Sequence, residues 1–320
     1  MRRSVNSRLA RGPRREQCDG RAKKPLRFFA VGALALALRA FFGAVPAWAE
    51  TTQPDRTPTV AFYYGATPPV DVLASYDIAV LEPDSGFLPR EHPEPQTRWF
   101  AYASVGEIGP QRSYYRDIPA DWFIGRNTDW NSHIVDQSKP GWPAFFVRHV
   151  IDPLWNIGYR GFFLDTLDSY QLAVKSDTAR ALQRDGLVRV IHAIKMRYPH
   201  AQLILNRGFE LLPQVHADVD AIAFESLFNG WDQGHQRYVP VPEADRAWLL
   251  SQARIVRAQY KLPVIAIDYC APDDETCARS SIEQTDALGL IPFVTDGALQ
   301  TVRPAPVLSS GVGQTTGGAR

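Results

Sequence analysis

A chain of 320 residues with 45% hydrophobic side chains carries enough apolar material for one large globular domain, which excludes a disordered or fibrous protein. Its formal charge of +1 hides an uneven distribution, because residues 1–49 hold 11 of the 35 Lys+Arg but only Glu16 and Asp19 of the 34 acids. The remainder, with 24 basic and 32 acidic residues, is at −8, which argues against nucleic acid and anionic membrane surfaces and favours a neutral or cationic partner.

Residues 1–49 have the order of a secretory signal peptide. A basic lead reaches Arg27, an apolar stretch interrupted by Arg39 runs from Phe28 to Pro46, and Ala47-Trp48-Ala49 precedes Glu50. The apolar run is short for a stable span, so cleavage before Glu50 is expected, leaving a periplasmic or secreted protein with no membrane span. The alternative is an N-terminal anchor that is never cut. Residues 50–57 read as a linker to a single domain over 58–302, and the Gly/Ser/Thr-rich stretch 303–320 as a disordered tail.

From residue 58, eight apolar runs alternate with helical or loop stretches: 59–64, 78–84, 99–107, 161–165, 202–208, 221–225, 263–270 and 290–296. That alternation predicts a parallel sheet of the α/β class, and eight strands over about 240 residues fit a (β/α)8 TIM barrel. An open doubly wound sheet is the competing architecture, but its glycine fingerprint is missing after the first run, where Tyr64-Gly65-Ala66-Thr67-Pro68-Pro69 stands. Helical spacing is clear in three places: Phe146, Val150, Leu154 and Ile157, a stripe that Pro153 should kink or break; Leu187, Ile191 and Ile194; and Leu249, Ala253, Val256 and Tyr260. Residues 85–97, rich in Pro and charge, signal a helix poorly.

The runs end on polar residues: Glu82 and Asp84, Glu107, Asp165, Asn206 and Arg207, Glu225, Asp268 and Tyr269, and Asp296. In a barrel these converge on the C-terminal mouth, where catalysis is found. Helix capping by Asp would account for one or two such positions, not for all of them. Asp165 and Glu225 stand out, since each closes a wholly apolar strand and two strand-end carboxylates suffice for glycoside hydrolysis. Two long loops carry aromatics suited to stacking on sugar rings: Tyr114, Tyr115, Trp122, Trp130 and Trp142 in one, Trp231 and Tyr238 in the other. Some of these belong to the core of a long loop instead.

Other chemistries lack their residues. The lysines after residue 49, Lys139, Lys175, Lys195 and Lys261, are not at strand ends, so Schiff-base chemistry has no nucleophile. There is no Gly-x-Ser-x-Gly elbow and no Cys/His cluster with metal spacing, so neither a metal nor another cofactor is expected. Cys18 lies in the leader, which leaves Cys270 and Cys277 as the pair for a disulfide in an exported chain.

The segments Val60-Ala61-Phe62-Tyr63-Tyr64-Gly65, Leu81-Glu82-Pro83-Asp84, Tyr102-Ala103-Ser104-Val105-Gly106-Glu107, Phe163-Leu164-Asp165-Thr166-Leu167-Asp168 and Phe224-Glu225-Ser226-Leu227 resemble glycoside hydrolase family 114 over residues 58 to 302. The resemblance implies a barrel that cleaves α-1,4-linked galactosamine or N-acetylgalactosamine exopolysaccharide without a metal, a neutral or cationic substrate that suits the acidic chain. It implies Asp165 and Glu225 as catalytic carboxylates, with Tyr64, Asp84, Glu107, Asn206 and Asp296 shaping the sugar site. Similarity to barrel enzymes that cut α-galactosides makes Asp165 the nucleophile and Glu225 the general acid/base, with exchanged roles or inversion as alternatives. Trp231, Asp268 and Tyr269 join the expected sugar contacts from their places on the mouth. The rival reading is a catalytically silent barrel that binds polysaccharide during its assembly.

Overall fold

The computed structural model of the protein describes residues 56–93 and 96–308, all within one compact unit, Gln53–Arg320. The expected leader and its expected cleavage site, with residues 309–320, lie outside the described residues.

Eight parallel strands form the barrel: β1 (Val60–Tyr63), β2 (Ile78–Leu81), β3 (Arg98–Ser104), β4 (Gly161–Asp165), β5 (Gln202–Asn206), β6 (Ala221–Glu225), β7 (Val264–Tyr269) and β8 (Ile291–Thr295). They pair in chain order, and β8 lies beside β1 so that the barrel is nearly closed. Both faces of such strands are covered, which is why they read as unbroken apolar runs rather than as alternating ones. Inside, Phe62 of β1 meets Phe163 of β4 at 4.9 Å between ring centroids and Phe293 of β8 at 5.3 Å. Each such buried side chain contributes about 1.5–3 kcal/mol. Gly161 makes room for a neighbour in this packing, because a Cβ there would lie 2.5 Å from the ring of Phe100 on β3.

The helices cover the outside. Asp177–Arg197 begins on Ser176, whose Oγ accepts from the Ala179 N–H at 3.3 Å, and buries Leu187, Ile191 and Ile194 as their spacing predicts. The stripe from Phe146 to Ile157 is one helical rod that passes Pro153 through a π-helical turn at Val147–Ile151. Among the described residues, two short 3-10 turns, Pro83–Ser85 and Pro89–Glu91, follow β2.

Two strands stop earlier than the apolar runs suggest. After Leu81 the chain enters the turn at Pro83, with Glu82 Oε1 accepting from the Asp84 N–H at 3.1 Å. After Ser104, the Thr166 hydroxyl accepts from the N–H groups of Gly106 at 2.8 Å and Glu107 at 3.1 Å and turns the chain off the barrel. It then forms a small antiparallel sheet of Glu107–Ile108, Phe123–Asn127 and Ser132–Val135. A hairpin, Asn229–Asp232 with Arg237–Pro240, follows β6. Cys270 and Cys277 are joined in a disulfide between the end of β7 and the first turn of the helix Glu275–Ala287. Arg303, placed at the start of a disordered tail by composition, is held instead: its carbonyl accepts from the Tyr76 hydroxyl at 2.7 Å and its guanidinium pairs with Glu275 at 3.2 Å. Among the described residues no helix is long and apolar enough to cross a membrane.

Candidate active site

The side chains at the C-terminal ends of β3 to β7 meet inside the barrel mouth. On β4, Phe163 and Asp165 share the inward face, and on β6 Ala223 and Glu225 do, so each carboxylate rises above a packed layer. Between them, on β5, the amide of Asn206 donates to Asp165 Oδ1 at 2.8 Å and to Glu225 Oε1 at 2.9 Å. The amide orientation follows from its neighbours, since two acceptors leave only the NH2 group to face them. Because both contacts share one nitrogen, the two carboxylate oxygens are at most 5.7 Å apart, the sum of 2.8 and 2.9 Å.

A phenol donates to the other oxygen of each acid. Tyr102 on β3 donates to Asp165 Oδ2 at 2.8 Å, and Tyr269 on β7 donates to Glu225 Oε2. Tyr64 packs at a tilt of 59° against Tyr102, with ring centroids 4.9 Å apart. Burial, and then the nearby carboxylates and phenols, hold Tyr64, Tyr102 and Tyr269 well above the usual phenol range, so all three stay protonated.

Burial pushes both carboxyls up. At Asp165 the push is opposed by hydrogen bonds from Tyr102, the Thr166 backbone N–H and Asn206. At Glu225 the charge of Asp165 adds to it, with Tyr269 and Asn206 opposing. The charge of Asp168 adds to the push on Asp165, and that of Arg207 opposes the push on Glu225.

The mouth opens into two connected lobes. The first, about 650 Å³, contains both acids together with Tyr64, Glu82, Tyr102, Glu107, Arg112 and Asn206. The second, about 540 Å³, lies toward the hairpin and contains Trp231, Pro240, Pro242 and Trp248. Glu225, Arg207, Tyr269 and Trp130 line both, whereas Asp165 lines only the first. Among the described residues no group of His, Cys, Asp and Glu has the arrangement of a metal site.

The sequence profile of glycoside-hydrolase family GH114 matches residues 44–316. The chain belongs to family GH114. It is therefore a glycoside hydrolase, and its barrel is similar to that of solved enzymes. The glycoside hydrolase domain of PelA from Pseudomonas aeruginosa is 35% identical, with a TM-score of 0.71, over 78% of this chain and 99% of that domain. Ega3 from Aspergillus fumigatus, solved in complex with galactosamine, shares the fold at 14% identity and a TM-score of 0.54, over 78% of this chain and 95% of the other. Among curated proteins nothing matches.

In this GH114 chain the expected site residues fall into three groups. Tyr64, Glu107, Asn206 and Tyr269 line the first lobe with Asp165 and Glu225. Glu107 reaches it from the loop sheet rather than from β3, fixed by Asn127 Nδ2 at 3.1 Å and by the Ser132 hydroxyl. Trp231 lines the second lobe.

The third group lies outside the cleft. Asp84 points to solvent beyond the Pro83 turn and pairs with Arg112 at 2.8 Å, while Glu82 lines the cleft and is bridged by the same guanidinium at 2.8 Å. Asp268, 1% exposed, faces away from the mouth, because it neighbours the inward Tyr269 on an extended strand. Its Oδ1 accepts from the N–H groups of Leu227, Phe228 and Asn229 at 2.7, 2.9 and 3.2 Å. Asp296 bonds the N–H groups of Ala298 at 2.7 Å and Gln300 at 3.2 Å and orders the loop after β8. None of the three acids Asp84, Asp268 and Asp296 lines either lobe. Tyr102 and Arg112 line the first lobe without having been singled out as site residues; Glu82 and Arg207, read as strand-end residues of the mouth, line it too, and Arg207 adopts a left-handed φ of 59° and donates to the Glu225 carbonyl at 2.8 Å.

Proposed function

We propose that this enzyme hydrolyses α-1,4-linked galactosamine or N-acetylgalactosamine exopolysaccharide with retention at the anomeric carbon. Asp165 is the nucleophile and Glu225 the general acid/base. The observation that carries the reading is the Asn206 amide shared by both acids, because facing oxygens at most 5.7 Å apart lie nearer the ~5–5.5 Å of retaining enzymes than the ~6.5–9.5 Å of inverting ones. The galactosamine held by Ega3 and the acidic lining of the first lobe support an amino-sugar substrate.

In the first step the Asp165 carboxylate attacks the anomeric carbon while Glu225 gives its proton to the departing glycosidic oxygen. In the second, Glu225 takes a proton from water as that water displaces Asp165. Tyr102 and Asn206 hold Asp165 in line, and Tyr269 and Asn206 hold Glu225.

The test is to incubate the purified mature domain with galactosaminoglycan and with chitosan, following new reducing ends, oligomer sizes and the anomer first released. Asp165→Asn and Glu225→Gln should each lower turnover by at least ~10²- to 10⁴-fold with thermal unfolding unchanged, and the double variant should be little worse than the poorer single one. Near-normal turnover in either folded single variant removes that residue from its role, and the α-anomer must appear first for retention to stand. A protein that binds galactosaminoglycan without cutting it would revive the silent-barrel reading.

The enzyme is proposed to act in the periplasm or the medium. The leader ending at Ala47-Trp48-Ala49 and the Cys270–Cys277 disulfide support export. N-terminal sequencing of protein from the envelope or medium should return Glu50, and recovery of Met1 would argue for an uncut anchor.

A further inference from the structure

We infer that the enzyme is also a transglycosylase, passing its glycosyl group to a hydroxyl of a second amino-sugar chain seated in the lobe beside the hairpin. The inference rests on the retaining reading of the same site and extends it to what competes with water.

Lining residues assign the two lobes. A nucleophile lies under the anomeric carbon it attacks, so the sugar that becomes attached to Asp165 occupies the first lobe, the only one Asp165 lines. Glu225 lines both lobes, as a group must that protonates an oxygen between the retained sugar and the departing one. The second lobe is then where the leaving chain sits, and where any hydroxyl that reverses the first step must approach.

That lobe is suited to a sugar. Its walls carry Trp130, Trp231, Trp248, Pro240 and Pro242 beside the polar Arg207, Ser226, Asp245 and Tyr269, so indole faces can stack on a pyranose ring while polar groups meet its hydroxyls. Its central wall is fixed in advance. The Trp231 indole lies so close to the Gly297 backbone that a Cβ there would sit 2.3 Å from it, its Nε1 donates to Gln233 Oε1 at 2.7 Å, and its ring meets Tyr238 at 4.9 Å. An acceptor therefore does not have to order this side chain on binding, which removes one of the usual losses in affinity. Trp248, 49% exposed on the helix Glu243–Ile255, supplies a further indole.

The transfer balances without another reactant. The bond between the Asp165 carboxylate oxygen and the anomeric carbon breaks, and a bond from that carbon to the acceptor hydroxyl oxygen forms. The hydroxyl proton goes to Glu225, which is ready to act as an acid again. Water in place of the hydroxyl gives hydrolysis by the same movements.

The experiment supplies the mature domain with a galactosamine oligosaccharide as donor and a galactosamine oligomer carrying a reducing-end label as acceptor, with products read by mass spectrometry. Labelled products longer than the acceptor should rise with its concentration. In Trp231→Ala and Trp248→Ala the ratio of transfer to hydrolysis should fall about two- to tenfold for each indole lost, with folding checked by thermal unfolding. Cleavage of the donor with no extended label at saturating acceptor overturns the inference and leaves the hydrolase standing. An unchanged ratio in both folded tryptophan variants overturns the acceptor lobe. No cleavage of any galactosamine substrate overturns the hydrolase reading, and the inference falls with it.

Discussion

Replacing Asn206 by Leu keeps the approximate shape of the side chain and removes the one donor that touches both Asp165 and Glu225. Hydrogen bonds to charged groups are worth about 1.5–3 kcal/mol, and one pKa unit is about 1.4 kcal/mol. Part of each bond survives when the carboxyl is protonated, so the loss should raise both acids by about one pH unit. A donor stabilises the ionised form, so removing it moves both titrations upward. In the retaining reading Asp165 must be ionised and Glu225 protonated, and the acid and alkaline limbs of the bell should therefore move up together. The assay is kcat/KM against pH with a galactosamine oligomer, which reports the free enzyme. The two limbs belong to the pair rather than to either residue alone, because the groups interact. A folded Asn206→Leu enzyme whose bell stays in place, or moves to lower pH, would refute the reasoning.

Two further outcomes concern stability. Burial pushes Asp268 up to about 6 against the opposing backbone hydrogen bonds, so between about pH 4 and pH 6 the native state holds a proton that the unfolded chain has released, and stability falls as pH rises through that window. Asp268→Asn should remove a change of about 3 kcal/mol across this window, or roughly 6–12 °C in thermal midpoint for a domain of this size, and a pH dependence identical to that of the unmodified protein would contradict it. Replacing Cys270 and Cys277 by serine should lower stability by ~2.5 kcal/mol through the freed loop, measured by urea unfolding without reductant, whereas an unchanged midpoint would show that the loop is ordered without the bond.

Asp165, Asn206 and Glu225 were legible as candidates because each polar residue closes an apolar run, which in a barrel places it at the mouth, and the structure brings the three side chains together there. Asp268 and Tyr269 show where that logic stops. Both close β7, but adjacent residues of a strand face opposite ways, and only pairing geometry says that Tyr269 is the inward one. Tyr102 was hidden for a different reason, lying in a run of Trp99, Phe100 and Ala101 where it reads as core. Pro83 separates Glu82 from Asp84 and sends one into the cleft and the other to solvent. Glu107 was found, but its placement by an antiparallel sheet in a loop had no local signal, since the partner strand Ser132–Val135 lies 25 residues away.

The bonds from Asp268 to Leu227, Phe228 and Asn229 have a consequence for how such an enzyme diversifies. They anchor the loop where it leaves β6, so the hairpin beyond is attached to the catalytic floor through a fixed base. In the proposed reading, exchanges within residues 230–239 would alter which sugar sits beside the scissile bond while leaving Glu225 in place. For engineering, that makes the hairpin the part to graft between relatives and Asp268 the part to leave alone.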